Sequence, residues 1–173
     1  MSKEKAFTQK ITRAGVIAAL YAATSLVTAP IASGAIQLRL SEALTLLALI
    51  FPEAVPALFI GCALSNLITG CAVYDIIFGS LITLVAAALT YATGKVIKNT
   101  ALKIFVGGLF PVFLNALFLP LIWMLCYGTG EYIYILQVAF LTVGQSVSVY
   151  ALGVPLIIAI NKRKIKGSVP KSG

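Results

Sequence analysis

Five long apolar stretches alternate with short polar segments along the chain. They cover approximately residues 11–32, 43–70, 76–94, 103–125 and 133–160. A helix that crosses a membrane needs about 20 apolar residues, so the second stretch is too long for one crossing. It contains Pro52, Glu53 and Pro56, and because proline interrupts a helix, the sequence FPEAVP is predicted to form a turn. The stretch then becomes two helices, over about 42–51 and 54–70, and the whole pattern predicts six helices.

The basic residues lie between the apolar stretches and indicate how the helices are oriented. With six crossings, all 13 Lys and Arg residues except Arg39 fall on one side of the membrane. With five crossings, the cluster at 95–103 and the C-terminal tail would fall on the other side from the N-terminal cluster. Because Lys and Arg accumulate in cytoplasmic segments, the charges favour six crossings with both termini cytoplasmic. We therefore expect residues 1–173 to form a single membrane domain, an all-α bundle of six transmembrane helices in the cell membrane.

The composition supports a membrane protein and argues against a nucleic-acid-binding protein. Hydrophobic residues make up 60% of the 173 residues and charged residues only 10%, whereas a soluble domain carries about 25% charged residues. A chain this apolar needs the lipid bilayer as its solvent. The net charge of +8 could suggest a nucleic-acid partner. The basic residues lie in short runs between the apolar stretches, where they set the orientation of the helices in the membrane. No nucleic-acid partner is therefore expected.

The residue types that carry most catalytic chemistry are missing. The chain has no histidine, which excludes Ser–His and Cys–His pairs, and Asp75 is its single aspartate. It has no GxxxxGK[ST] phosphate-binding loop, so energy for active transport must come from a partner or an ion gradient. The cysteines Cys62, Cys71 and Cys126 form no CxxC motif and are interpreted as small buried residues. We therefore expect neither enzymatic activity nor a bound metal or cofactor.

Polar and aromatic side chains at membrane depth or near its outer side are the candidate substrate-binding groups, because polar groups in lipid are costly. The candidates are Arg39, Glu42, Asn66, Asp75, Asn115, Trp123, Tyr127, Glu131, Gln137 and Gln145. Most of these groups also have a structural explanation. Glu42 follows Ser41, which is a favourable N-cap, and Asp75 can cap the fourth helix. The Asn and Gln side chains can bond between helices, and the aromatic rings can form a belt at the membrane surface.

The first helix carries small residues at intervals of four. Ala14, Ala18 and Ala22 form a small-xxx-small face, and Ala19 and Ala23 lie beside it. Such a face lets another helix approach closely. One interpretation is packing within the same bundle, and the other is docking onto a separate membrane subunit.

Two blocks of sequence resemble a known family. These are IQLRLSEALTLLALIFPEAVPALFIGCALSNLITG and YDIIFGSLITLVAAALTY, in which RLSEALT and DIIFGSLITL are the specific parts. They are similar to the QueT family of substrate-binding S components of energy-coupling factor (ECF) transporters. The resemblance extends from the alanine face through the sixth helix.

The resemblance implies a six-helix S component that binds a queuosine precursor, queuine or the aminomethyl-deazaguanine base, from outside the cell. It implies association with an ECF transmembrane coupling subunit and two cytoplasmic ATPase subunits, with Ala14, Ala18 and Ala22 facing the coupling subunit. It also implies an outer-side ligand site to which Arg39 and Glu42 belong. The alternatives are an S component for another vitamin or heterocycle, a self-sufficient small secondary transporter, and a scaffold protein without a ligand.

Overall fold

The structure, a computed structural model, describes residues 3–32, 38–128 and 134–168, and for Ile31, Ala32, Tyr127 and 163–168 it describes the backbone alone. These residues form six helices and no strand, in agreement with the predicted number. Helix 1 is Lys3–Ala32, helix 2 is Leu40–Leu49, helix 3 is Ala54–Ile68, helix 4 is Asp75–Val96 and helix 5 is Thr100–Tyr127. Helix 6 is continuous through Tyr134–Ser146, Val147–Gly153 and Val154–Ser168.

Four of the described helices, helices 1, 4, 5 and 6, are long and apolar enough to cross a membrane. Helices 2 and 3 have only 10 and 15 residues. Helix 3 therefore reaches about 22 Å, which is less than the roughly 30 Å of a hydrocarbon core. Because lipid cannot satisfy bare backbone groups, the ends of these two short helices need protein around them. The six crossings predicted from the sequence are thus four span-length helices and two short apolar ones.

Helix 2 lies at the centre of the bundle. Each of the other five helices packs against it, and they follow one another around it in the order 1, 3, 4, 5 and 6. Eight of its ten residues are buried, as expected for a central helix in which seven of the ten residues are apolar. It is a 3₁₀ helix, and with a rise of about 2.0 Å per residue it extends about 20 Å, compared with about 15 Å for an α-helix of the same length. The tighter winding thus lengthens a short central helix.

The turn between helices 2 and 3 is fastened to helix 1. Helix 2 ends at Leu49 and helix 3 begins at Ala54, so Pro56 lies in the first helical turn, where a missing N–H is tolerated. Arg13 Nε lies 2.9 Å from Glu53 Oε1, and the Glu53 side chain is only 8% exposed. The Arg13 guanidinium also lies over the Phe51 ring. This ion pair defines the end of the bundle that carries the N-terminus of helix 1.

Helices 1 and 3 are in close contact because Gly61 has no side chain. A Cβ built on Gly61 would lie 2.8 Å from the Ala18 carbonyl oxygen and 2.8 Å from Tyr21 Cβ. Ala18 is buried at this contact. Ala18 therefore packs inside the bundle, which is the first of the two interpretations of the alanine face.

The Gly61→Ala variant is expected to unfold at a lower temperature than the unchanged protein in detergent, because the added methyl group would push helix 1 away from helix 3. Overpacking of this kind costs about 1–3 kcal/mol. Gly15→Ala is the matched control, since a Cβ at Gly15 meets nothing within 4 Å. Both variants gain the same helix propensity, so the difference between their melting temperatures isolates the clash. Equal melting temperatures would contradict the close approach.

Candidate functional site

A cavity of about 340 Å³ lies at the end of the bundle opposite the Arg13–Glu53 ion pair. It is bordered by the second half of helix 1, the start of helix 2, the end of helix 3, the start of helix 4 and the last turns of helix 5. Its lining residues are Tyr21, Ser25, Thr28, Ala29, Arg39, Ser41, Ser65, Asn66, Thr69, Cys71, Asp75 and Trp123. A more open depression is lined by residues of helix 1 alone, namely Glu4, Lys5, Thr8, Gln9, Thr12 and Arg13.

Arg39 places a positive charge in the cavity wall. It immediately precedes helix 2 and is the residue that flanks the helix start. Its Nη1 atom is buried and has no hydrogen-bond partner among the described residues. A buried guanidinium nitrogen without an acceptor is costly, so this donor is suited to a ligand that supplies one.

Glu42 lies behind the cavity wall on helix 2 and is fully buried. Tyr21 donates its hydroxyl proton to Glu42 Oε1 at 2.5 Å. Glu42 Oε2 has no hydrogen-bond partner in the described part of the chain. The Asn115 amide lies near this carboxylate and donates to the Pro111 carbonyl oxygen at 2.9 Å, while its own Oδ1 is buried without a partner.

Ser41 does not have the capping role predicted for it. Helix 2 begins one residue earlier, at Leu40, and no side chain caps it. The Ser41 hydroxyl instead accepts a hydrogen bond of 2.7 Å from Ser25. This bond joins helices 1 and 2 at the cavity wall.

Asp75 is the first residue of helix 4 and bonds across the cavity region. Gly70 adopts a φ of 71°, a left-handed conformation that favours glycine, and it turns the chain after helix 3. Asn66 then donates to the Asp75 carbonyl oxygen at 3.0 Å. Trp123 Nε1 donates to Asp75 Oδ1 at 2.8 Å. Helix 4 opens with a π-helical turn, Asp75–Gly79, a conformation that is frequent at functional sites.

The remaining predicted site residues have different positions. Gln145 is fully buried and both of its amide atoms lack partners among the described residues, but it does not line the cavity. Gln137 is half-buried on helix 6 and is also absent from the lining. The Tyr127 side chain and Glu131 lie outside the described residues. The cavity thus brings together Arg39, Asn66, Asp75 and Trp123, with Glu42 and Asn115 behind them.

The sequence interpretation missed several cavity residues. Tyr21, Ser25 and Thr28 are spaced by four and three residues, so they share one face of helix 1. A polar face on a membrane helix is a signal that could have identified them. Cys71 was predicted to be a small buried residue, but it lines the cavity and is partly exposed, and Cys126 is also partly exposed. Only Cys62 is buried as predicted.

The other alanines of helix 1 have less intramolecular packing than Ala18. Ala14 and Ala22 are half-buried, whereas Ala19 and Ala23 are exposed. Gly15 is exposed as well, and it precedes Ala19 by four residues. A stripe of small residues on helix 1 therefore faces away from the bundle, one position further along the chain than the predicted one.

The cavity has the chemistry of a binding site. It offers a guanidinium donor, a carboxylate, hydroxyl groups and an indole within an otherwise apolar bundle, which is the pattern of small-molecule sites. Among the described residues no group of three or more Cys, Asp or Glu side chains could hold a metal ion.

Comparison with known proteins identifies a family of transporters. The family model described as QueT transporter matches residues 11–162, which is most of the chain. No match is found among curated proteins or solved structures. The family and the four span-length helices together indicate a multi-pass membrane protein with a transport function rather than an enzyme. The chain belongs to the QueT transporter family.

Proposed function

We propose that this protein is the substrate-binding S component of an ECF-type importer that takes up a queuosine precursor, either queuine or the aminomethyl-deazaguanine base. The observation that carries the proposal is the cavity, which holds Arg39 and Asp75 inside an apolar bundle. Charged side chains at membrane depth mark substrate pathways and binding sites. The volume of about 340 Å³ is in the lower range of small-molecule sites.

The chemistry of a deazaguanine fits these groups. A guanine-like edge presents neighbouring N–H donors, which suit acceptors such as Glu42 or a group bonded to it. The ring carbonyl suits the buried Nη1 donor of Arg39, which has no partner in the part of the chain that the structure describes. The flat ring suits an aromatic wall such as Trp123, and an aminomethyl cation suits the Asp75 carboxylate.

The partners we propose are an ECF transmembrane coupling subunit and two cytoplasmic ATPase subunits. The chain lacks a phosphate-binding loop of its own, so a separate ATPase is needed for active uptake. Helix 1 is the proposed docking element, as the resemblance implies. Ala18 packs against Gly61 inside the bundle and is not accessible to a partner. We therefore assign docking to the outward stripe of Gly15, Ala19 and Ala23, with Ala14 and Ala22 at its margins.

The proposed orientation has both termini in the cytoplasm. The cavity and the N-terminal half of helix 1 lie at opposite ends of the bundle. Helix 4 begins at the cavity and helix 5 ends there, so the turn between them lies at the opposite end of the bundle, beside the N-terminus of helix 1. The basic segments around Lys95 and Lys103 belong to this turn. With these segments inside, the cavity would open toward the outside of the cell.

Mass spectrometry of the purified protein tests the proposed function. After growth with the aminomethyl-deazaguanine base, we expect this base to co-purify and to be released by denaturation. A different heterocycle in the preparation would favour an S component for another substrate. Uptake by vesicles that contain this chain and no ATPase would favour a secondary transporter. If calorimetry detects binding of neither queuine nor the aminomethyl-deazaguanine base, the proposal is contradicted.

A further inference from the structure

Tyr21 has one proton to donate, and it donates that proton to Glu42. The tyrosine lies in the cavity wall although the sequence pattern gave it no role. Its hydroxyl oxygen retains lone pairs, which can only accept hydrogen bonds. As long as Glu42 takes the proton, a ligand group that meets this oxygen must be a donor.

Both members of this hydrogen bond are held in place. Glu42 belongs to the central helix and is fully buried. Tyr21 is 1% exposed, and its Cβ lies against Gly61 of helix 3. Because interiors are close-packed, the ring cannot swing away from Glu42. The direction of the hydrogen bond follows from the carboxylate, which in its ionised form can only accept.

Arg39 supplies the complementary group beside this acceptor. It lines the same cavity, and its buried Nη1 donor has no partner among the described residues. The wall therefore carries both an acceptor and a donor. A lactam edge, which has an N–H next to a carbonyl oxygen, matches this order. A 6-amino heterocycle has the reverse order, with a ring nitrogen acceptor next to an amino donor.

We infer that the Tyr21 oxygen, positioned by Glu42, accepts a hydrogen bond from the lactam N–H of the ligand, while Arg39 donates one to the ligand's carbonyl oxygen. The cavity thereby selects 6-oxo over 6-amino bases. The inference rests on the proposed function, because it assumes a deazaguanine-like ligand. Glu42 acts through Tyr21 as a positioning residue. This role differs from direct contact between the Glu42 carboxylate and the base.

The test is calorimetry on the purified full-length protein with two probes. These are the aminomethyl-deazaguanine base and its counterpart in which an amino group replaces the ring carbonyl. We expect the unchanged protein to bind the 6-oxo base at least about 50-fold more tightly, since sites that hydrogen-bond a ligand strongly reject the mismatched analogue. We expect Tyr21→Phe to lose about tenfold or more for the 6-oxo base. Tyr150→Phe is the matched control, because its hydroxyl donates to the Phe105 carbonyl oxygen away from the cavity.

Glu42→Leu separates a positioning role from a merely structural one. Leucine offers no acceptor to the Tyr21 hydroxyl and frees the tyrosine proton for the ligand, so the preference for the 6-oxo base should fall below about tenfold. An unaltered preference in Glu42→Leu, or unaltered affinity in Tyr21→Phe, would overturn the inference while leaving the proposed function intact. A protein that binds the two bases equally also overturns the inference alone. Failure of the unchanged protein to bind either base overturns both.

Discussion

Replacing Arg39 with alanine is expected to weaken binding of the aminomethyl-deazaguanine base by about 100-fold. Hydrogen bonds that involve a charged group contribute about 1.5–3 kcal/mol, which corresponds to roughly 10- to 150-fold in affinity. The upper part of this range applies because Nη1 is buried and has no acceptor within residues 3–32, 38–128 and 134–168. Arg39→Lys should recover only part of the loss, since an ammonium group cannot reproduce the planar guanidinium fork.

Arg13→Ala is the control for the loss of an arginine. Arg13 lies close to the Glu53 carboxylate, at the opposite end of the bundle from the cavity. We expect this variant to bind the base with unchanged affinity and to be slightly less stable, because Glu53 loses its partner. Equal dissociation constants for Arg39→Ala and the unchanged protein would remove Arg39 from the site.

The sequence predicted the number of helices and the main turn because these depend on strong local signals. Apolar stretches are long, and Pro52 and Pro56 limit where helices 2 and 3 can end and begin. It did not predict the 3₁₀ winding of helix 2, which is associated with a central position that only the packed bundle reveals. It also misassigned Ser41, because the helix begins one residue earlier and boundaries are uncertain by about one or two residues from pattern alone.

The candidate site could be predicted only in part. Arg39 and Asp75 were found because charge in an apolar chain is conspicuous. The bond between Asp75 and Trp123 joins residues that are 48 positions apart, and no local pattern reports such a contact. Tyr21 was missed because a tyrosine in an apolar helix carries no charge and resembles an ordinary apolar position. The sequence therefore identified ionic groups more readily than the neutral ones that surround them.

The alanine face shows a limit that is specific to membrane proteins. In a soluble helix the polar face reveals which side is exposed, but lipid and bundle interior are both apolar. Ala18 and Ala19 are consequently alike in the sequence, although Ala18 packs against Gly61 and Ala19 faces outward. Only the rotation of helix 1 in the assembled bundle distinguishes them. The docking experiment therefore substitutes Ala19 rather than Ala18.

Ala19→Trp is expected to reduce co-purification with the coupling subunit and the two ATPases by at least about tenfold, and to abolish uptake. A bulky ring on a small-residue face prevents the close approach of a partner helix, whereas it can be accommodated in lipid when no partner is present. Because Ala19 is exposed and is not part of the cavity lining, base binding by the isolated protein should be unchanged. Ala18→Trp is unsuitable for this purpose, since it would disrupt the contact with Gly61 and unfold part of the bundle.

Ala88→Trp provides the matched control for the docking experiment. Ala88 is an exposed alanine on helix 4, and a ring there should leave the complex, base binding and uptake unaffected. Loss of the complex in Ala19→Trp but not in Ala88→Trp would assign docking to the outward stripe of helix 1. An intact complex in Ala19→Trp would place the coupling subunit on another face. Loss of both base binding and the complex in Ala19→Trp would instead indicate that the tryptophan side chain disturbs the fold of helix 1. The exposure of Ala19 argues against this outcome.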